Sequence, residues 1–453
     1  MIALGPIEWG VALERMHWPL LMLSCAFFSA RVPANDLLDA YRQARVQDPQ
    51  LQSASAQRAI SAEALPQARS DWLPQLESAA AAGRERVKMP DTTSADSKAA
   101  TYGLTLSQTV WSFESFYNLK EAGLQVAQAQ AIYASQEQNL VLRVAQAYFG
   151  ILSAADQLAT AASQRRAFEE LLHQAQVREQ TGLNALTDVT EAQSFYDATE
   201  QGVIDAETAL EDAKRGLAEI TGEYMASVAP LREDIPLLRP TPDSADDWGA
   251  AAREDNLDVR AAILQADAAR RDIQLQRSKY LPSLSLQGSA TRTRENSLLG
   301  GDEDVGLLQM SITWPIYLGG RVSSLVRQAE ASYRRATAQV ELTRRQADRA
   351  ARLAFRAVES GVARVQAANR TAESSRKAVE ASRLGVDYGT RNEFDLLNSQ
   401  SNYYIALRGY QQSRYDYLTA MLQLKQQAGR LTEADLMGID DLLVASAAQD
   451  TVR

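Results

Sequence analysis

Side chains able to make or break bonds are scarce in this chain. Histidine occurs twice, at His17 and His173, and cysteine once, at Cys25. A zinc centre needs three or four such ligands, and a thiol nucleophile needs a base beside it, so neither can be assembled. No glycine-rich phosphate loop is legible either, and the reading is therefore no cofactor, no metal and no enzyme. The polar chemistry that remains sits in two short stretches, TGLNALTDVTEAQSFY (181–196) and YGTRNEFDLLNSQSNY (388–403). Each passes a glycine and then places carboxylates in the first turn of a helix, Asp188 in one and Glu393 and Asp395 in the other, where the helix dipole favours negative charge. Thr390 with Glu393 fits a reciprocal helix cap.

These two stretches are copies of one another. Gly182 aligns with Gly389, Asp188 with Asp395, Gln193 with Gln400 and Tyr196 with Tyr403, each pair 207 positions apart (389 less 182), as are Gly222 and Gly429. WLPQL (72–76) meets YLPSL (280–284) at 208 (280 less 72). A near-constant offset over such a distance is duplication. Half one runs over 35–222 and half two over 248–429, with 223–247 between them and 430–453 as a tail.

Composition limits what the halves can be. The 453 residues are 45% hydrophobic with net charge -10, which excludes a basic nucleic-acid binder. Mean hydropathy is -0.30, and no run approaches the roughly 18 apolar residues of a membrane-crossing helix. Residues 1–34 read as an export signal: Arg15 precedes an apolar stretch from Trp18 to Phe28, and Val32-Pro33-Ala34 suits cleavage before Asn35. Met22-Leu23-Ser24-Cys25 offers the alternative of a lipid attached at Cys25.

Each half then repeats helix, strand, strand, helix, helix. The first helix covers Asn35 to about Ser70, with Leu37, Leu38, Tyr41 and Ala44 on one face, and its counterpart spans about Ser244 to Arg277. Strands are expected at about 75–89 and 99–111, and at about 283–294 and 305–315. Tyr102, Leu104 and Leu106 alternate with threonine, glycine and serine, and Leu284, Leu286, Gly288 and Ala290 alternate with Ser285, Gln287, Ser289 and Thr291. Period two with one greasy face is a strand with a lipid-compatible side. The aromatic residues Trp72, Trp111, Tyr280, Trp314 and Tyr317 gather where the strands end, close to Pro74, Pro282 and Pro315, as in the girdle of a membrane barrel. A soluble sheet capped by aromatics is the alternative.

From Phe113 to about Thr181, and from Gly320 to about Tyr388, proline is absent. At roughly 1.5 Å per residue each stretch makes a rod on the order of 100 Å long. Leu140, Val144, Ala147, Ile151 and Leu158, and in half two Phe355, Val358, Val362 and Val365, form only a narrow seam. Such rods touch neighbours sideways and stay wet elsewhere, which suits a hollow tube. In QMSITWPIYLGGR (309–321) Pro315 removes a ladder donor and Gly319 and Gly320 let the backbone swing from strand into rod. Half one has Thr109-Val110-Trp111 there, with Phe113 and Glu114 in place of the glycines. Pro74 and Pro282 mark the same passage on the entering side. Four strands cannot close a barrel, and open strand edges cannot face lipid, so identical subunits must pool their strands.

The PIYLGG motif, the paired G-x-x-x-x-x-D tips, LAEITG at the end of half one and the duplicated element order resemble the TolC family of outer-membrane efflux and secretion channels, over about Asn35 to Leu436. The resemblance implies a mostly α fold with a membrane β part: a homotrimer whose 12-stranded barrel sits in the lipid of a Gram-negative outer membrane, continuous with a long periplasmic helical barrel. It implies a passive exit duct of a tripartite efflux pump or type I secretion system. A periplasmic adaptor and an inner-membrane transporter of ABC, RND or MFS type would open its periplasmic tip. It places 223–247 and the tail in a belt around the tube. Carried over by position, Thr187 and Asp188 accept bonds from Arg391, and Asp395 forms a ring of charge at the narrowest point. Asn398 stands where a second acidic ring is expected and Val386 where a linking tyrosine is expected, which implies a looser tip and weaker cation selection. The reading from another class is a soluble periplasmic coiled-coil scaffold.

Overall fold

The computed structural model describes residues 36–87, 95–182, 185–296 and 301–444. The export signal with Cys25 lies outside the described residues, as do 445–453 and parts of both strand-to-strand tips.

The chain opens with three helices, α1 (Leu37–Gln47), α2 (Pro49–Ala62) and α3 (Ala64–Ser70), where one was expected. The break is chemical. Asp48 leaves helical geometry and its carboxylate accepts from the Leu51 amide at 2.8 Å, while Pro49 occupies the first position of α2, where no amide donor is needed. Strands β1 (Gln75–Val87) and β2 (Ala95–Trp111) follow, then α4 (Phe113–Gln180) and α5 (Leu186–Thr221). Half two repeats this with α6 (Ala245–Asp255), α7 (Leu257–Ser278), β3 (Ser283–Asn296), β4 (Glu303–Thr313), α8 (Arg321–Asp387) and α9 (Glu393–Gln427), and α10 (Glu433–Asp440) closes the described chain. Its first helix is also broken. Asn256 caps α7 by accepting from the amides of Asp258 and Val259.

The four strands form one antiparallel sheet in the order β1-β2-β3-β4. Leu76, Leu106 and Gly288 lie in one row across it, and Leu286 faces Met310 in the next row on that side. Glu77, Thr105, Ser289 and Leu307 lie on the opposite face. Pro74 stands directly before β1 and Pro282 directly before β3, where a missing amide donor costs the ladder nothing.

α4 has 68 residues and α8 has 67, each on the order of 100 Å long. No described helix is apolar enough to cross a membrane. The main core lies around the middle of these rods: Leu140, Val144 and Ile151 of α4 and Phe355, Val358 and Val365 of α8 are buried, together with Leu37, Tyr41 and Ala44 of α1. The segment between halves wraps this region. Tyr148, wholly buried, donates to the Ala229 carbonyl at 3.1 Å and accepts from the Ala229 amide at 3.0 Å. The Tyr417 hydroxyl does the same with the backbone of Leu238, and Leu231 bridges to Leu443 beside α10. Side-chain hydroxyls thus hold a strand-like segment that has no sheet of its own.

Candidate functional site at the helical tips

At the end away from the sheet, each rod turns back through a tight loop. α4 ends at Gln180, and Gly182 takes φ 75°. α8 ends at Asp387, Gly389 takes φ 73°, and the amides of Thr390 and Arg391 both donate to one carbonyl, that of Gly385, at 2.8 and 3.0 Å. Only glycine adopts such positive φ without strain, so two rods of unrelated surface turn at matched places.

The returning helices are capped unequally. In half two Asn392 accepts from the Asp395 amide at 2.8 Å, and its own amide donates to the Asp395 carboxylate at 3.4 Å. The expected pairing of Thr390 with Glu393 is not made. Thr390 is taken up in the backbone wrap, its hydroxyl donating to the Gly385 carbonyl, and Glu393 is drawn to Arg178. In half one the cap position is Ala185, which has no side-chain acceptor, so only the return bond exists, from the Ala185 amide to Asp188 at 3.3 Å.

Around these turns the structure builds links that sequence reasoning missed. Arg178, in the last turn of α4, bonds Glu393 at 2.9 Å and reaches Asp387 at 3.6 Å, joining the ends of α4 and α8 to the start of α9. Glu393 is only 16% exposed, so this pair is better shielded than the Arg345–Glu341 pair on α8. Arg391 Nη1 donates to Ser382 at 2.6 Å, Ser382 is within 2.9 Å of the Ser399 hydroxyl, and Ser399 donates to the Asp395 carbonyl at 2.7 Å. Beneath them Phe168 stacks on Phe195 at 5.6 Å, with Leu172, Ala192 and Leu397 buried alongside. A cavity of about 210 Å³ opens between Arg178, Arg383, Val386, Asp387 and Glu393.

The predicted gate residues divide accordingly. Within one chain Arg391 does not bond Thr187 or Asp188, because its amide is tied to Gly385 and its stem lies against that glycine, which turns the guanidinium back onto α8. Asp395 and Arg391 are exposed, Asn398 is half-buried, and Val386 lines the cavity where a tyrosine was expected. Arg178 had no local signal: Glu393 lies 215 positions away, and only superposing the two tips would have paired them.

At the sheet end, Trp111, Tyr280, Trp314 and Tyr317 are exposed, and Trp72 is half-buried. Trp314 donates its indole N–H to the Tyr280 carbonyl at 3.1 Å. β4 stops at Thr313, before Pro315, and Gly319 and Gly320 take φ 57° and 79°, Gly320 being the residue that starts α8. In half one Phe113 and Glu114, which stand in place of the glycines, are already helical. Ser112 alone makes the turn, accepting from the Ser115 amide at 3.1 Å.

The model of the family described as "Outer membrane efflux protein" matches residues 40–223 and 248–430, one block per half. The chain belongs to this family. It is 32% identical to outer membrane protein TolC of Vibrio cholerae over 91% of this chain and 94% of that protein. It is 28% identical to the alkaline protease secretion protein AprF of Pseudomonas aeruginosa over 88% and 85%. Among solved structures, the Campylobacter jejuni CmeC outer membrane channel superposes with TM-score 0.75 at 15% identity, covering 91% of this chain and 90% of that one. The open state of the Neisseria gonorrhoeae MtrE outer membrane channel gives 0.70 at 19%, covering 88% and 91%. The chain is thus an outer-membrane channel of the efflux and type I secretion class, with its helices on the periplasmic side.

Proposed function

We propose that three copies pool their four-stranded sheets into a 12-stranded barrel and their rods into one tube, and that the tips form a gate closed at rest. The observation that carries this reading is the concentration of polar links where the rods turn: Arg178 to Glu393 and Asp387, and Arg391 to Ser382 and Ser399. A guanidinium has five N–H donors. Arg391 can hold Ser382 and still donate outward to Thr187 and Asp188 of an adjacent subunit, so one residue would fasten both the chain to itself and the ring to its neighbour.

In the ring, three copies of Asp395 would stand at the narrowest point with Asn398 one turn along. A single acidic layer backed by amides attracts cations less than two acidic layers do. Transport is passive, and opening energy comes from a periplasmic adaptor whose helices lie in the grooves between rods, coupled to an inner-membrane transporter of ABC, RND or MFS type. Pro74, Pro282 and the Pro315 to Gly320 segment act as the swivel between barrel and tube, and the segments 223–247 and 430–444 form the belt against which the rods pivot.

Single-channel recording in planar bilayers tests the gate. Arg391→Ser is expected to raise resting conductance several-fold, and Asp395→Ala to abolish the preference for cations. Unchanged conductance in the first and unchanged selectivity in the second would refute the assignment.

A further inference from the structure

Two helices carry opposite charge at opposite flanks of the chain. α5 holds nine carboxylates and two cations, a net charge of -7 (2 less 9), and α8 holds fourteen cations and seven carboxylates, a net charge of +7 (14 less 7). Towards the tips α5 packs on α4, α4 on α9 and α9 on α8, so α5 and α8 stand at the two outer flanks. Their charges find little within the chain. Arg356, Arg370 and Lys377 of α8 are exposed and make no ion pair or hydrogen bond among the described residues. Asp197 and Glu200 of α5 are exposed and bond only Gln193 and Tyr196 of their own helix.

These residues sit on stripes with the 3-4 spacing of a coiled-coil seam. On α5 the stripe passes through Leu186, Asp197, Glu200 and Ile204, and on α8 through Leu384, Lys377, Arg370, Ala367, Ala363 and Arg356, all of them exposed. Leu186 is 71% exposed, Ile204 62% and Leu384 57%, which is costly for apolar side chains that face water.

Height along the rods brings opposites together. Counted from the matched tip glycines, Leu186 stands 4 residues up (186 less 182) and Leu384 stands 5 (389 less 384). Asp197 stands 15 up (197 less 182) and Lys377 12 (389 less 377), and Glu200 stands 18 (200 less 182) and Arg370 19 (389 less 370). Ile204 and Ala367 both stand 22 up (204 less 182, 389 less 367), a large side chain level with a small one. At roughly 1.5 Å per residue every pair lies within about one helical turn in height. A solvated face has no need of such matching.

Resting on the reading that three copies pool their rods into one tube, we infer that the α5 stripe of one copy lies along the α8 stripe of the next. Glu200 meets Arg370, Asp197 meets Lys377, Ile204 fills the space over Ala363 and Ala367, and Leu186 closes on Leu384 near the tip. Two α5 flanks repel one another, as do two α8 flanks, so only head-to-tail contact closes the ring. Because Arg391 follows α8 while Thr187 and Asp188 begin α5, the same seam delivers the contact proposed for the gate.

The test uses the full protein in detergent, with trimer read by native mass spectrometry and linkage by a short bis-maleimide on denaturing gels. Cys25, the one native cysteine, lies in the expected export signal. Ile204→Cys with Ala367→Cys in one chain is expected to give covalent trimers, and Ile204→Cys with Ala381→Cys, about 21 Å off register, to link about tenfold more slowly. Arg370→Glu with Lys377→Glu should slow the in-register linkage about tenfold, as two reversed pairs allow, and adding Asp197→Lys with Glu200→Arg should restore it. Trimers that link no faster in register than out of it overturn the inference. So does linkage indifferent to charge reversal, which would turn these stripes towards the periplasmic adaptor or water. A wild-type chain that stays monomeric would instead overturn the pooled tube on which the inference rests.

Discussion

Asp48 and Asn256 stand at equivalent breaks in the first helices of the two halves, 208 positions apart (256 less 48), and both accept amide hydrogens from the turn that follows. One is a buried carboxylate bridged to Arg143 at 2.7 Å; the other is a neutral amide that also donates to the Gln427 carbonyl at 3.0 Å. Ser112 and Gly320, again 208 apart (320 less 112), both start a long helix, one by offering a hydroxyl and the other by adopting positive φ. Ala185 and Asn392 both precede a returning helix, and only Asn392 caps it with a side chain. Duplication has preserved the backbone path while the groups that stabilise it have diverged. The two halves can therefore be loosened independently, by mutations that touch only one of them.

The largest asymmetry is expected at the ends of the returning helices. Both Gly222 and Gly429 have positive φ, but a Cβ on Gly429 would sit 2.3 Å from the Asp255 carbonyl oxygen, while one on Gly222 would meet the Gln47 side chain at 3.2 Å. Gly429→Ala should cost about 3 kcal/mol or more, since backbone must move. Gly222→Ala should cost about 1 to 2 kcal/mol, the strain of the left-handed conformation alone. Thermal unfolding of the purified variants would separate them, and equal losses would show that the halves are not packed differently here.

At the tips, Arg178→Ala removes the shared partner of Glu393 and Asp387 and is expected to destabilise by about 1 kcal/mol, since its own side chain is a third exposed. Its sharper reading is resting conductance, which should rise, and should rise further in combination with Arg391→Ser if the two arginines hold separate contacts. Asn392→Ala should cost about 1 kcal/mol, and Ala185→Asn should return about half of that by completing the missing cap. Amide exchange at the first turns of α5 and α9 would report both, and a stabilised α5 is the outcome that confirms the inequality of the halves.

The smallest effect is a dependence on pH. Burial pushes the Asp48 carboxyl up, but hydrogen bonds from Arg143 and from the amides of Leu51 and Gln50 outweigh it and hold the group below its ordinary 3.8. A depressed carboxylate stabilises the fold fully above its unfolded value, and the contribution disappears as pH falls through the lower folded value. Below about pH 4 the α1–α2 break should therefore loosen relative to the α6–α7 break, where Asn256 does not titrate. Exchange of the Leu51 amide compared with that of Val259 measures the difference.

Much of the architecture was legible because its signals are long. Proline-free stretches with seams such as Leu140, Val144 and Ile151 admit little but a rod, and alternation through Leu284, Leu286 and Ala290 admits little but a strand with one greasy side. The helix breaks were missed although Asp48-Pro49 is a breaker dipeptide, because the amphipathic stripe runs through it without a phase change. Asn256 carried a cap signal that the stripe hid in the same way. The site was legible only where duplication exposed it. Asp188 and Asp395 stood out as copies of each other, whereas Arg178, Ser382 and Ser399 have no counterpart role in the other half and belong to contacts between elements distant in sequence.

The Gly385 carbonyl, which takes both the Thr390 and the Arg391 amide, means that the turn of the second tip is closed by main chain, with side-chain bonds tying it to the flanking helices. In the proposed gate, substitution at Val386 or Asn398 would then alter the bore of the passage without unravelling the loop, whereas Asp395 also closes the cap with Asn392. The turn itself is constrained at Gly389, which takes positive φ, and at Gly385, where an added Cβ would press on the Arg391 stem at 3.0 Å.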